Sequence, residues 1–184
     1  MGTLGSWRWT VLGALGLASI ASAANFEVDG VQLGMSQAQV EAAQSGKLKC
    51  SPRAPSDADP SQVTCVSAAF ADKKTLSDTF AGQKTVIRYH ILDGHVARIS
   101  FLGMPSLAFD HIVKTMEATY GKPEVASWTT RLMKSELVNK RATWSNEAGD
   151  AIVFDKFVAG NVDRSFLNFY SKSWPDNLRP KPVD

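Results

Sequence analysis

The apolar positions of this chain fall into two short stretches of helical period set among many stretches of period two. The strongest alternation, TVIRYHILDGHVARISFL over residues 85–102, predicts a β-hairpin with Asp93-Gly94 at its tip. With Asp93-Gly94 alone as the loop, each hairpin face mixes apolar and charged residues. With Leu92-Asp93-Gly94 as a three-residue loop and Gly94 as a bulge, Ile91 pairs with His95 and the faces separate. One face then carries Ile87, Tyr89, Ile91, Ala97, Ile99 and Phe101. The other carries Val86, Arg88, His90, Val96, Arg98 and Ser100, with Arg88 directly across from Arg98. Like charges opposed on a sheet are destabilising, so this register asks for an acidic neighbour or partner.

Of the helical stretches, the first opens at Ser36, whose spacing to Gln39 is that of a capping box, while Met35 and Val40 fit a hydrophobic staple. It predicts a helix of about ten residues ended by Gly46, too short to stand without packing. The second opens at Pro105-Ser106, carries Phe109, Ile112, Val113, Met116 and Tyr120 on one face, and stops at Gly121-Lys122-Pro123. Further strands are expected over 63–69 and 76–80, and after the second helix over 125–132, 140–145, 151–158 and 164–171.

The two halves thus repeat a plan, a capped helix followed by three or four antiparallel strands. The expected architecture is α+β: two helix-plus-antiparallel-sheet units in tandem, 24–104 and 105–174, with the helices packed on one face of the sheet. The segment 175–184 contains three prolines and is expected to be a loose C-terminal tail.

Composition changes the picture in three places. Residues 1–23 hold one cation, Arg8, an apolar run from Val11 to Ile20, and the small residues Ala21-Ser22-Ala23, the pattern of a signal peptide cleaved near Ala23. The run is shorter than the roughly 20 residues a spanning helix needs, so the mature chain is expected to be periplasmic or secreted, without a transmembrane anchor. Removing the leader leaves 19 basic side chains against 18 acidic ones, a balance that gives no support for nucleic-acid binding.

Cys50 and Cys65 are the only cysteines, with fourteen residues between them in a loop with three prolines. In an exported chain they predict a disulfide, since a redox or metal pair needs further ligands or a closer spacing.

Three patches carry a resemblance: GVQLGMSQAQVEAA at 30–43, YHILDGHVARISF at 89–101, and TYGKP at 119–123 with Trp144 downstream. Together they resemble small exported proteobacterial proteins of helix-then-sheet build, similar to the BamE/SmpA outer-membrane assembly lipoproteins and, in tandem form, to the β-lactamase inhibitory proteins. The resemblance implies non-enzymatic protein binding, by scaffolding or by inhibition. The chain departs from the assembly factors in lacking a lipidation cysteine and in having two units. No binding residue carries over.

Catalytic chemistry finds no constellation. His90 and His95 flank the hairpin tip with Asp93 but point to opposite faces in the favoured register, so they are expected to be solvated turn residues and no metal site is expected. His111 lies off the apolar stripe of the second helix. No serine sits in a G-x-S-x-G turn, and there is no phosphate-binding glycine loop or cofactor motif.

Aromatics are the remaining clue. If Leu167 and Phe169 enter the core, Phe166 and Tyr170 lie outside with Trp174 close behind, and with Arg88 and Arg98 they make a candidate partner surface. The alternative is a central strand covered on both sides. The expected function is an exported, non-enzymatic protein-binding module of the envelope or medium, needing no cofactor. The alternative is a small-ligand-binding protein or an enzyme acting on envelope material.

Overall fold

The computed structural model describes residues 25–73, 78–132, 135–159 and 162–181; the expected leader over 1–23 lies outside them, as does the start of the strand expected from residue 76. A small ribbon, β1 (Glu27–Val28) and β2 (Val31–Gln32), leads into α1 (Gln37–Ala43). Next come β3 (Leu48–Pro52), β4 (Val63–Ser67), α2 (Ala68–Lys73), β5 (Asp78–Phe80), and the hairpin of β6 (Gln83–Leu92) and β7 (His95–Leu102). A 3₁₀ turn (Ser106–Ala108) runs into α3 (Phe109–Tyr120). The last strands are β8 (Glu124–Leu132), β9 (Ser135–Ser145), β10 (Ala151–Ala159) and β11 (Val162–Tyr170).

Strands β3 to β11 form one antiparallel sheet in the order β3-β4-β6-β7-β11-β10-β9-β8, with β5 paired to β6. This corrects the expectation of two helix-plus-sheet units. The seam is the pairing of β7 with β11, which sets Ser100 opposite Asn168, Ile99 opposite Phe169 and Arg98 opposite Tyr170. Both strands present the same apolar face, and pairing them removes two open edges whose backbone groups would otherwise need other partners.

That apolar face carries Tyr89, Ile91, Ile99, Phe101, Phe154 and Phe169, and is covered by Val40 of α1, by Phe26, Val28 and Val31, and by Phe109, Ile112 and Met116 of α3. Phe169 lies at the centre, its ring 6.2 Å from Phe26, 5.7 Å from Phe101 and 6.1 Å from Tyr120.

Local chemistry explains the helix ends. Ser36 and Gln39 form the reciprocal capping box: the Gln39 amide donates to Ser36 Oγ (3.3 Å) and the Ser36 amide to Gln39 Oε1 (2.8 Å). At Gly121 the backbone turns to φ 79°, a conformation costly for other residues, which releases α3 into β8.

The hairpin register differs from the expected one. Leu92 pairs with His95, leaving Asp93 and Gly94 as a two-residue turn with φ of 51° and 80°. The extra residue falls inside β7 instead: Ile91 pairs with Val96 and His90 with Arg98, which leaves Ala97 as a bulge. Val96 therefore faces the main core, and Ala97 joins the opposite face. The bulge also puts Ser100, and not Arg98, across from Arg88, so the expected like-charge pair does not form.

Candidate functional site

The face of the sheet away from α1 and α3 is built from alternate residues of six strands: Arg88 and His90, Arg98 and Ser100, Phe166, Asn168 and Tyr170, Val153 and Asp155, Arg141, and Trp128. Arginines on this face stack on aromatic rings. Arg88 lies 5.9 Å from the Phe70 ring centre, Arg98 lies 5.6 Å from Tyr170 and 5.3 Å from Trp174, and Arg141 lies 5.7 Å from Trp128. Arg98 also donates twice to Asn168 Oδ1, at 3.0 and 2.8 Å, and Arg141 grips Asp155 with both arms, at 2.5 and 3.1 Å.

The expected aromatic partner surface is only partly open. Phe166 is 41% exposed, but Tyr170 is 3% and Trp174 1% exposed. Together with Ala97 and Val153 they make a second, smaller core, against which Leu178 packs. The described part of the expected loose tail, 175–181, is held in place: Arg179 donates to the Ser171 carbonyl (2.5 Å), and Arg141 bonds the Lys181 carbonyl. A strand with two apolar faces is satisfied here by the chain's own end folding back over it.

His90 is the residue that sequence reasoning missed. It is buried, not a solvated turn histidine, because residues 53–62 fold over it. Its Nε2 lies 2.8 Å from Ser100 Oγ and its Nδ1 lies 3.3 Å from Asp59 Oδ2. Ser61 Oγ donates to Asp59 Oδ1 at 2.7 Å, and Arg53 reaches Asp59 Oδ2 at 3.2 Å. The Trp174 ring closes the other side, edge-on at 6.0 Å.

His90 and Ser100 become diagonal neighbours across the hairpin only through the Ala97 bulge, which the expected register lacked; Asp59, in a proline-rich loop, gave no signal. His95 is exposed and bonds the Asp93 carbonyl through Nδ1 (2.9 Å), so the two histidines do not converge. Among the described residues no three His, Cys, Asp or Glu side chains are grouped to hold a metal ion.

The order Asp59, His90, Ser100 is that of a nucleophile triad, with Nδ1–H able to donate to the carboxylate and Nε2 able to accept from the hydroxyl. Nucleophilic work also requires access to the hydroxyl, and Ser100 is 4% exposed in the middle of a strand. Its physical effect is a lock: it satisfies three buried polar side chains and fastens the loop to the sheet. The Cys50–Cys65 disulfide, at directly paired positions of β3 and β4, closes the base of that loop.

Burial pushes the His90 imidazole below the ordinary histidine value; the Asp59 bond works the other way, and Arg98 adds to the lowering. Burial alone would raise the Asp59 carboxyl, but its bonds from His90 and Ser61 hold it below the carboxylate range.

The signs agree. On acidification the unfolded chain takes up a proton at this histidine first, near pH 6.5, so His90's contribution to stability declines as pH falls from there toward the folded value. Asp59's contribution is kept above the unfolded carboxylate value near 3.9 and lost as pH falls through its lower folded value. Urea unfolding between about pH 7 and 5 should therefore show stability falling by up to about 1.4 kcal/mol per pH unit from this histidine, and His90→Gln should flatten that slope. An unchanged slope in the variant would show that His90 does not titrate as described.

Compared with known proteins, the chain matches no family model, no curated protein and no solved structure. Among the described residues no helix is long and apolar enough to cross a membrane.

Proposed function

We propose that this chain is an exported, non-enzymatic protein-binding module of the cell envelope or medium, of scaffold or inhibitor type, as its resemblance to the BamE/SmpA and β-lactamase inhibitory proteins also suggests. The contact surface lies at the end of the sheet where β7 and β11 part. There a groove of about 470 Å³ has Phe101, Leu102, Met104 and Pro105 along one wall and Arg164 to Phe166 along the other. The observation that carries the reading is the exposure of Leu107, at 88%, two residues beyond that wall, together with the 41% exposure of Phe166. Large apolar side chains beside a groove with a charged rim are the composition of a protein contact surface. The sealed Ser100 hydroxyl favours binding over hydrolysis.

The test is retention of envelope proteins by the mature chain and by a Leu107→Asp, Phe166→Thr double variant, threonine being chosen because residue 166 sits opposite Asp155 on β10. Both positions are exposed, so the variant should keep its stability to within about 1 kcal/mol while losing partners that the parent retains. Equal retention of every partner by both forms would refute this surface.

The small-ligand alternative has one observation in its favour. A cleft of about 570 Å³ between the end of α1, the start of α2 and β6 is lined by Asp29, Gln44, Lys47, Asp78 and Tyr89, a mixed polar wall suited to a hydroxylated or charged small molecule.

A further inference from the structure

On the polar face, between the β3–β4 pair and α2, lies an open cleft of about 360 Å³ whose wall includes Pro52, Arg53, Thr64, Val66, Phe70 and Arg88. We propose that this cleft binds an anionic group, a carboxylate or a phosphate, between the guanidinium groups of Arg53 and Arg88. The site is independent of the Leu107 and Phe166 surface.

Local charge is the first support. The charges of Arg53 and Arg98 both act against that of Arg88, and among the described residues the carboxylate that offsets them at Arg88 is Asp59. Asp59 is already engaged by His90, Ser61 and Arg53. Arg98 is satisfied by the neutral oxygen of Asn168. Among the described residues Arg88 has no acidic side chain within ion-pair distance. Its burial, and the charges of Arg53 and Arg98, weaken its hold on its proton. A half-buried cation without a counter-ion is costly, and an incoming anion offsets that cost.

Geometry is the second support. The Phe70 ring lies 5.9 Å from the Arg88 guanidinium carbon and occupies one side of it as a cation–π partner, and a guanidinium can grip two oxygens of an anion at once. Apolar side chains at Pro52, Val66 and Phe70 exclude water from part of the wall and strengthen the charge interaction. The Thr64 hydroxyl, also in this wall, has no hydrogen-bond partner within the described chain. The cleft is larger than one phosphate or carboxylate and open at its mouth, so the anionic group can belong to a larger molecule.

The experiment is an NMR titration of the mature, disulfide-bonded chain with inorganic phosphate and, separately, with succinate. The readouts are the side-chain Nε–H signals of Arg53 and Arg88 and the amide of Thr64. Saturable shifts of these signals are expected with at least one probe. Arg88→Gln and Arg53→Gln should each weaken binding about tenfold or more, and Arg88→Lys should weaken it less. Arg131→Gln, on the distant β8–β9 hairpin, should leave binding unchanged.

Saturation by phosphate alone marks a phosphate site, by succinate alone a carboxylate site, and by both a general anion site; each supports the proposal. Non-saturable shifts, or equal binding by the Arg88→Gln and Arg131→Gln forms, overturn it. Spectra of the Gln variants that keep the parent's core signals exclude misfolding as the cause of lost binding.

Discussion

Phe169→Ala is expected to lower the unfolding free energy by about 3–5 kcal/mol, and to do so for the whole chain at once. The side chain is fully buried, and its ring meets Phe26 from the N-terminal ribbon, Phe101 from β7 and Tyr120 from α3. Alanine removes the aromatic contacts and leaves a cavity that β11, held between β7 and β10, cannot move to fill. For a domain of this size the loss corresponds to a fall in Tm of roughly 6–20 °C. Because the ring joins elements from both ends of the chain, near-UV signals and backbone signals should fall together in one transition. Two separated transitions would mean that the halves fold independently.

The second large effect is expected from the disulfide. Opening Cys50–Cys65 with Cys50→Ser and Cys65→Ser releases a loop with a sequence separation of 15 and should cost about 3 kcal/mol in the chain-entropy model. The consequence extends beyond the loop's own entropy. Residues 53–62 bring Asp59 onto His90, so loosening their base gives water access to the imidazole and weakens the bond that orders it. A histidine NMR titration should find the His90 ring moved toward the ordinary histidine value in the double Ser variant. A His90 titration identical in both forms would show that the bridge does not support the lock.

Several features that depended on residues adjacent in sequence were legible, although α2, which begins inside the strand expected over 63–69, was not. The capping box at Ser36 and Gln39, the apolar stripe of α3 and the Asp93-Gly94 tip are each written within a few positions. Features that depended on which strands meet were not. Alternation marks the faces of β7 and β11 but carries no label for their edges, so a chain with two amphipathic halves read as two units.

The bulge at Ala97 had no sequence mark, since alanine is tolerated on either face, and placing the extra residue in the turn produced nearly the same two faces. Tyr170 and Trp174 read as an exterior because nothing in a proline-rich tail announces that it will fold back. The Cys50–Cys65 bridge was legible from the expected leader and the cysteine spacing, but what it supports required knowing where Asp59 lands. Arg88 and Arg98 were legible as neighbours on one face. Only the fold distinguishes Arg98, stacked and hydrogen-bonded, from Arg88, which faces a cleft without a matching acid.

Native-state hydrogen exchange at the backbone amides of 98–100 and 168–170 addresses the single continuous sheet most directly. Those that lie inside the seam should exchange only through global opening, with protection equal to that of the most protected amides in β6 and β10. Exchange at the rates of frayed edge strands, with β6 and β10 still protected, would contradict the joined sheet.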